Sequence, residues 1–521
     1  MKKTTALLCL LAMLFLLLTA CTSDSASQDV KLLPIALTQE SYAFGVDKNQ
    51  PQLLQQTNDF IAQILADGTL EEICNKYFSN GEPSPVHSAK LDRSKDQLIV
   101  ATNVTFAPFE YVEGQSYYGI DMELAAALAA HLGQELVIVD MDFEAVCLSV
   151  SQGKCDIAMA GLTVNESRAE HVMFTQPYYE ASQLLLLPPN EPRFEVCTQA
   201  QEVEAVLRSM DASTRIGVQS GTTGQYYLEG NEEWGFEGFD VSCIGYQSAA
   251  LAVQDMLNGN LDLVLLDKAP ASFLVTAFQN KSSLAFGKAL HDFWQRLTEK
   301  GGYKLVLSGL RNTVIIAVLG LLIGTLIGIL IAAVRIMPKY KRLPRVLNGI
   351  CTLYVGFFRG TPIVVQLLLG YYVLLPMLGL NAPALTVCVC VFGLNSGAYV
   401  SEIMRGGIVS VDAGQLEAGR ALGLSFRVTM CKIVIPQAIK NILPTLGNEF
   451  ISLIKETSVV SFVSAVDIYK AFNIIATNSY EYIVPYLAMA VIYIVLVALI
   501  TLLVKWMERR LARSDKRIAS K

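Results

Sequence analysis

Paired metal ligands are missing from these 521 residues: the four histidines (87, 131, 171, 291) are scattered, and the 11 cysteines form no C-x-x-C. No zinc or dithiol site is therefore expected. There is no G-x-x-x-x-G-K-[ST], so the chain lacks the backbone cradle that holds nucleotide phosphates in a P-loop. No stripe of Lys and Arg with interleaved aromatics points to nucleic acid. Between residues 21 and 308 no long apolar run occurs, although 52% of the whole chain is hydrophobic. The apolar residues are gathered instead in residues 7–20 and beyond residue 309. The net charge of −7 averages over these unlike regions and says little about partners.

Lys2 and Lys3, followed by Ala6–Ala20, read as the charged and apolar parts of a secretory signal. The run ends Leu18-Thr19-Ala20-Cys21, which resembles a bacterial lipobox, implying a signal peptide over 1–21 and a lipidated Cys21. A retained signal anchor is the alternative; the small residues before Cys21 and the polar stretch after it favour lipidation. One lipid adds little anchoring to a chain with several spans. Cys74, Cys147, Cys155, Cys197 and Cys243 precede the membrane half; their odd number leaves at least one unpaired, and spacing assigns no bridge.

From Leu98 the pattern is strand, loop, helix, strand. Leu98–Thr102 is extended, and a Pro-containing loop runs through Phe106–Glu110. Asp121 reads as an N-cap for a helix whose apolar stripe is Leu124, Ala125, Leu128, Ala129 and Leu132, closed by Gly133. Leu136–Val139 follows as a strand. Such β-α-β alternation predicts an α/β domain with a parallel sheet.

Several stretches carry a resemblance here: Ala101-Thr102-Asn103 with Phe106 and Pro108-Phe109, Gly119–Leu124, Asp156–Thr163, Arg168, Phe174–Tyr179, Gly217–Gly224 and Asp262–Asp267. Together they resemble the two-lobed extracytoplasmic amino-acid-binding proteins of ABC importers. The resemblance implies a ligand site of Asn103, Phe106, Phe143, Gly161, Thr163, Arg168, Gln219, Thr222, Thr223 and Asp267. The chemistry agrees. A guanidinium suits a carboxylate bidentately, and Thr163 can add a hydroxyl. Free N–H groups after Ser220–Gly224, ahead of a helix near Tyr226, favour an anion. Asp267 can take the ammonium, and Phe106 and Phe143 can sandwich the side chain. Taken singly, these residues would read as a surface ion pair, a helix cap and core. Asn103 and Gln219 are neutral hydrogen-bonders, which suits glutamine; Asp140, Asp142 and Glu144 nearby keep arginine and histidine open.

In that family a closing strand and amphipathic helix, ending in G-T-x-x-x-I-x-x-K-Y/W-F, follow the second lobe. Here the matching segment comes first, as Tyr42–Val46, Leu53–Leu65 and Asp67–Phe78. Residues 30–78 are therefore expected to be a circularly permuted closing segment, with 79–95 a polar linker and 96–300 the lobes. A leftover fragment of a lost domain is the alternative, but it would expose its apolar stripe.

Beyond residue 309, spans are expected at 311–334, 350–378, 384–404, 447–466 and 483–505, each long enough for about 30 Å of hydrocarbon. The basic residues Arg335, Lys339, Lys341, Arg342 and Arg345, and those of the tail 511–521, place these ends in the cytoplasm and the binding lobes outside. Between spans, Glu417-Ala418-Gly419-Arg420-Ala421-Leu422-Gly423 and the later Pro436 resemble the coupling loop of ABC importer permeases. Phe358–Pro362, Asn395–Tyr399, Arg405–Ile408 and Lys455–Ser458 are similar to the polar amino acid branch. Gly419 stands where that family usually has Ala, which should loosen the helix slightly. Lys455 and Glu456 are charges in an apolar stretch, where a functional role is the default; a mutual pair at a dimer seam is equally open.

The expectation is thus an α/β binding domain followed by an all-α permease domain over 309–510. The resemblance implies a transporter subunit of the bacterial cytoplasmic membrane rather than an enzyme. It binds no cofactor itself, takes its energy from ATP-Mg on a separate ATPase, and pairs with a copy of itself or a second permease. A ligand-gated channel would need a selectivity sequence, and a dehydratase of the same fold would need a general base. Neither is visible. A sensor without an ATPase also remains open.

Overall fold

The computed structural model describes residues 30–79, 81–279, 286–336, 342–380 and 382–519. Cys21 and the signal segment lie outside the described residues. The chain divides into two compact units: residues 1–302 with 474–484, and residues 303–473 with 485–521.

In the first unit two five-stranded sheets form the two lobes. One contains, in spatial order, Met173–Phe174, Gly45–Val46, Ile157–Ala158, Gln97–Thr102 and Glu135–Asp140. The other contains Lys31–Leu32, Gln183–Leu187, Leu263–Asp267, Arg215–Gln219 and Ser242–Tyr246. The pairs built by β-α-β crossovers are parallel, as expected: Gln97–Thr102 beside Glu135–Asp140, and Arg215–Gln219 beside Ser242–Tyr246.

The first described residues enter both sheets antiparallel. Lys31 pairs with Leu187, and Val46 lies between Met173 and Ile157. Glu40–Tyr42 pairs with Tyr179–Ala181 between them. The helices Pro51–Ala66 and Thr69–Phe78 follow, separated by Gly68, whose φ of +83° is a left-handed conformation suited to glycine. Leu53, Phe60, Ile61, Ile64, Leu70 and Ile73 are buried with Leu98, Val100, Leu124 and Leu128 in one core. The apolar stripe of this segment is covered, not exposed.

Two local expectations need correction. Asp121 is not the cap of its helix: Ile120–Leu132 starts after Gly119, and Asp121 turns into the core. Its carboxylate accepts from the Gly161 N–H (2.9 Å) and the Tyr178 hydroxyl (2.6 Å). Residues 79–95 are more than a linker. Val86 exchanges backbone hydrogen bonds with Tyr117, Ala89 N–H donates to Leu136 O, and Val86 is buried against Met122 and Ile138. The segment is an extended strap fastened along the lobe.

Among the described residues three helices are long and apolar enough to cross a membrane: Gly302–Arg335, Ala384–Val409 and Ile483–Arg510. Two bent pairs raise the number to five if each counts as one span. The expected continuous span over 350–378 is instead Arg342–Gly360 and Ile363–Met377, meeting at 109°. Gly360-Thr361-Pro362 breaks it, since proline lacks an N–H and clashes with the preceding turn. Gln366 Nε2 covers the freed acceptors Phe358 O and Thr361 O, and its Oε1 accepts from Asn395 Nδ2 at 2.9 Å. This is how broken backbone is satisfied away from water. The expected span at 447–466 is the end of Ile435–Glu456 running into a 3-10 turn, Thr457–Val463. The first long helix begins at Gly302, ahead of the expected 309. The last helix runs Ile483–Ala519, so 511–521 is not a separate tail from its first residue.

The first and second long helices touch through glycines. A Cβ on Gly324 would lie 2.7 Å from Ser396 Cβ, and one on Gly328 2.6 Å from Val400 Cγ1. Gly320-x-x-x-Gly324-x-x-x-Gly328 is the small-residue spacing that lets helices approach closely in a membrane.

Candidate functional site

The C-terminal ends of the sheet strands face each other across a cleft, and side chains from both lobes meet there. Arg168, in the short helix Glu166–Ala169, donates from Nη1 to Thr163 O and from Nη2 across the cleft to Gly221 O, both at 2.9 Å. Its guanidinium lies over the Phe143 ring (5.1 Å) and the Trp234 ring (5.8 Å). Thr223 Oγ1 meets Thr163 Oγ1 at 3.2 Å. Gln219 Nε2 reaches Asn103 Oδ1 at 3.5 Å, while Asn103 Nδ2 donates to Met141 O. The lobes are closed on one another.

Asp267 ends the strand Leu263–Asp267, as the sequence suggests, and is buried. It accepts from the Tyr42 hydroxyl. Burial, then the neighbouring Glu40 charge, push its carboxyl up to about 7 despite that hydrogen bond. Desolvation also lifts the Asp121 carboxyl to about 7, and holds Glu110, fully buried with both oxygens unpartnered, well above the usual carboxylate range.

The expected residues are not equally placed. Asn103, Gly161, Thr163, Gln219, Thr222 and Asp267 stand on the strand ends and following loops, whereas Arg168 and Thr223 sit in the short helices Glu166–Ala169 and Thr223–Glu229. Phe106 stacks on Phe109 (5.9 Å) and covers Gly161, where a Cβ would be 2.8 Å from its ring; Phe143 lies under Arg168. The two rings thus have different neighbours. The helix after Gly221 begins at Thr223, three residues before Tyr226. The Gly221 N–H is already taken by Gln225 Oε1 at 2.8 Å, and Thr222 Oγ1 donates to Gln219 O.

Glu40 and Tyr42 are cleft residues that sequence reading missed. Glu40 is 6% exposed and accepts from the hydroxyls of Thr38 (2.6 Å) and Thr163 (2.8 Å) and from Gln183 Nε2 (3.0 Å). The available signal was a lone acid and a Tyr flanking a predicted strand, which fits many surface strands equally well.

In the second unit, Glu417, Ala418 and Gly419 lie in the helix Ala413–Ala421, capped by Asp412 Oδ1 on the Gly414 N–H (2.7 Å). Gly423 ends it at φ +74°, and Pro436 opens Ile435–Glu456. Gly419 is no loosening of this helix. It is buried against Phe426–Thr429, and a Cβ there would sit 2.5 Å from Thr429 Cγ2, so this packing requires glycine. Most of its surroundings are exposed, Leu422 at 78%. Near the end of Ala384–Val409, Glu402 pairs with both Arg335 and Arg405. Among the described residues no cluster of His, Cys, Asp and Glu could hold a metal.

Two families match the chain. Bacterial extracellular solute-binding proteins, family 3, covers residues 98–308. Binding-protein-dependent transport system inner membrane component covers residues 324–513. A putative glutamine transport system permease protein, GlnP, of Rickettsia bellii is 36% identical over 206 residues, 40% of this chain and 92% of its own length. The arginine transport system permease protein ArtQ of Bacillus subtilis is 37% identical, over 40% of this chain and 94% of its own. The L-cystine transport system permease protein TcyB of the same organism is 34% identical, over 45% and 97%. Among solved structures, an amino acid ABC transporter with histidines is 41% identical over 41% of this chain and 97% of its own, with a TM-score of 0.38. Holo ArgBP from T. maritima is 29% identical over 36% and 76%, with a TM-score of 0.30.

Proposed function

Because the chain belongs to the amino acid permeases of ABC transport systems, with a solute-binding domain fused ahead of the permease, we propose that it captures a polar amino acid outside the cell and passes it inward. It is a multi-pass protein of the cytoplasmic membrane and a transport component, not an enzyme. In this reading Arg168 and Thr163 hold the ligand carboxylate, Asp267 holds the ammonium, and Phe106 and Phe143 flank the side chain. Glutamine is the leading cargo, with arginine or histidine as alternatives; the L-cystine relative keeps a further substrate in view. The carrying observation is the single cleft that joins Arg168 and Asp267 to two neutral amides. Gln219 Oε1 is buried there without a hydrogen bond, an acceptor suited to a side chain with N–H donors.

Residues 30–78 act as a permuted closing segment, a reading supported by their pairing into both sheets and their buried stripe. The binding lobes lie outside and the helix carrying Glu417–Gly423 lies in the cytoplasm. There it docks a separate ATPase, whose ATP-driven closure switches the spans of a homodimer or of a pair with a second permease. Cys21 is the lipidation site.

The test is uptake of labelled L-glutamine by proteoliposomes holding the full chain and its ATPase, with L-arginine, L-histidine and L-cystine in parallel. Uptake of one amino acid that requires ATP and is lost in Arg168→Ala is expected. ATP-independent flux would favour a channel, and no flux at all would end the importer reading.

A further inference from the structure

The ligand's ammonium is assigned above to Asp267 alone, yet a second carboxylate stands beside it. Glu40 comes from the hinge strand Glu40–Tyr42, which lies between the two sheets. It is buried, and its partners come from three places: Thr163 in the first lobe, Gln183 opposite Asp267 in the second, and Thr38 in its own segment. The Gln183 side chain also bonds Asp267, so one amide spans both acids. Thr163 in turn meets Thr223 across the cleft. Glu40 thus sits where lobe closure and the ammonium position coincide.

Two buried carboxylates side by side repel, and such a pair is relieved either by a proton or by a cation. The side chains acting on Asp267, namely Glu40, Tyr42 and Gln183, are acidic or neutral. Glu40 and Tyr42 act on Asp267, and Asp267 acts in turn on Glu110 and Tyr179. Arg168, the cleft's cation, is engaged with Thr163 O and Gly221 O. The electrostatics therefore leave a place for one positive charge. We propose that Glu40 is the second anionic arm of the ammonium site, sharing the ligand's amine with Asp267, so that capture displaces a proton from Asp267 to solvent. The inference rests on the amino acid reading of the cleft. It adds that the segment preceding the lobes supplies part of the site, and that affinity follows pH.

The sign follows from the position of Asp267. Its carboxyl lies near 7. Below that pH Asp267 holds a proton the ligand must expel, so binding weakens; above it Asp267 is ionised, and affinity levels off.

The experiment is calorimetric titration of the full chain in nanodiscs with L-glutamine, or L-arginine if glutamine does not bind. It is run at pH 6 and pH 8 in two buffers of different ionisation enthalpy. The wild type should release most of one proton per ligand at pH 6 and almost none at pH 8, with a dissociation constant about tenfold weaker at pH 6. Glu40→Gln should reduce that pH ratio, because Asp267 loses its repelling neighbour while its burial remains; Glu40→Asp should keep it. A Glu40→Gln protein with the wild-type pH ratio and proton release would overturn the proposal. So would wild-type binding without proton release, a readout that stands even if the variant fails to fold. If the wild type binds no amino acid at either pH, the parent reading falls as well, and the two failures are told apart.

Discussion

Arg168 uses both terminal nitrogens on backbone carbonyls, one from each lobe, while its face rests on Phe143. Only a planar guanidinium can do this and still offer N–H groups to a carboxylate. Arg168→Lys should therefore lower amino acid affinity about tenfold or more, as for a lost charge-assisted hydrogen bond, in equilibrium binding to the full chain. An unchanged affinity would mean charge alone suffices. Asp267 was legible because an acid closing an apolar strand is an unusual place for one. Asp121 was misread, since an acid after Gly-Ile before an apolar stripe has the look of a cap; only the fold shows that Gly161 and Tyr178 reach it. Glu40 could not be read because its partners, Thr163 and Gln183, lie more than a hundred positions along the chain.

At the scale of elements, the helix Pro51–Ala66 separates a completing segment from a remnant. Ile61 is fully buried, whereas Leu65 is 51% exposed. Ile61→Ala should cost about 2–5 kcal/mol in denaturant unfolding of the binding unit. Leu65→Ala should stay within about 0.5 kcal/mol. Equal, negligible effects would show the helix to be unpacked in solution. In the other unit the helix Ala413–Ala421 is held by contact between Gly419 and Thr429. Gly419→Ala should overpack it by about 1–3 kcal/mol and reduce transport. Adding Thr429→Ala should restore activity; failure of the double variant to recover would place the fault elsewhere. The motif around Gly419 was plain in the sequence, but its reason was not, because the atom that forbids a Cβ belongs to the next helix.

At the scale of the molecule, both architectures were legible for different reasons. Apolar runs beyond residue 309 and soluble composition before it separate a membrane half from an α/β half without any tertiary information. The strand and the apolar stripe of residues 42–78 were legible too, since each is a local pattern. The bends were harder: Gly360-Thr361-Pro362 marks a break, but hydropathy continues across it, and the 109° turn depends on Gln366 and Asn395 satisfying the exposed carbonyls. The packing of the first and second long helices was available in the Gly320, Gly324 and Gly328 spacing and went unread. The central claim is that one cleft in this chain recognises an amino acid through Arg168 and Asp267. Its most direct test is a titration of the purified full chain with the twenty amino acids, repeated on Arg168→Ala and Asp267→Ala. Saturable binding of one polar amino acid by the wild type, lost in both variants, is the predicted result. Binding that survives both substitutions, or a folded wild type that binds none, would contradict it.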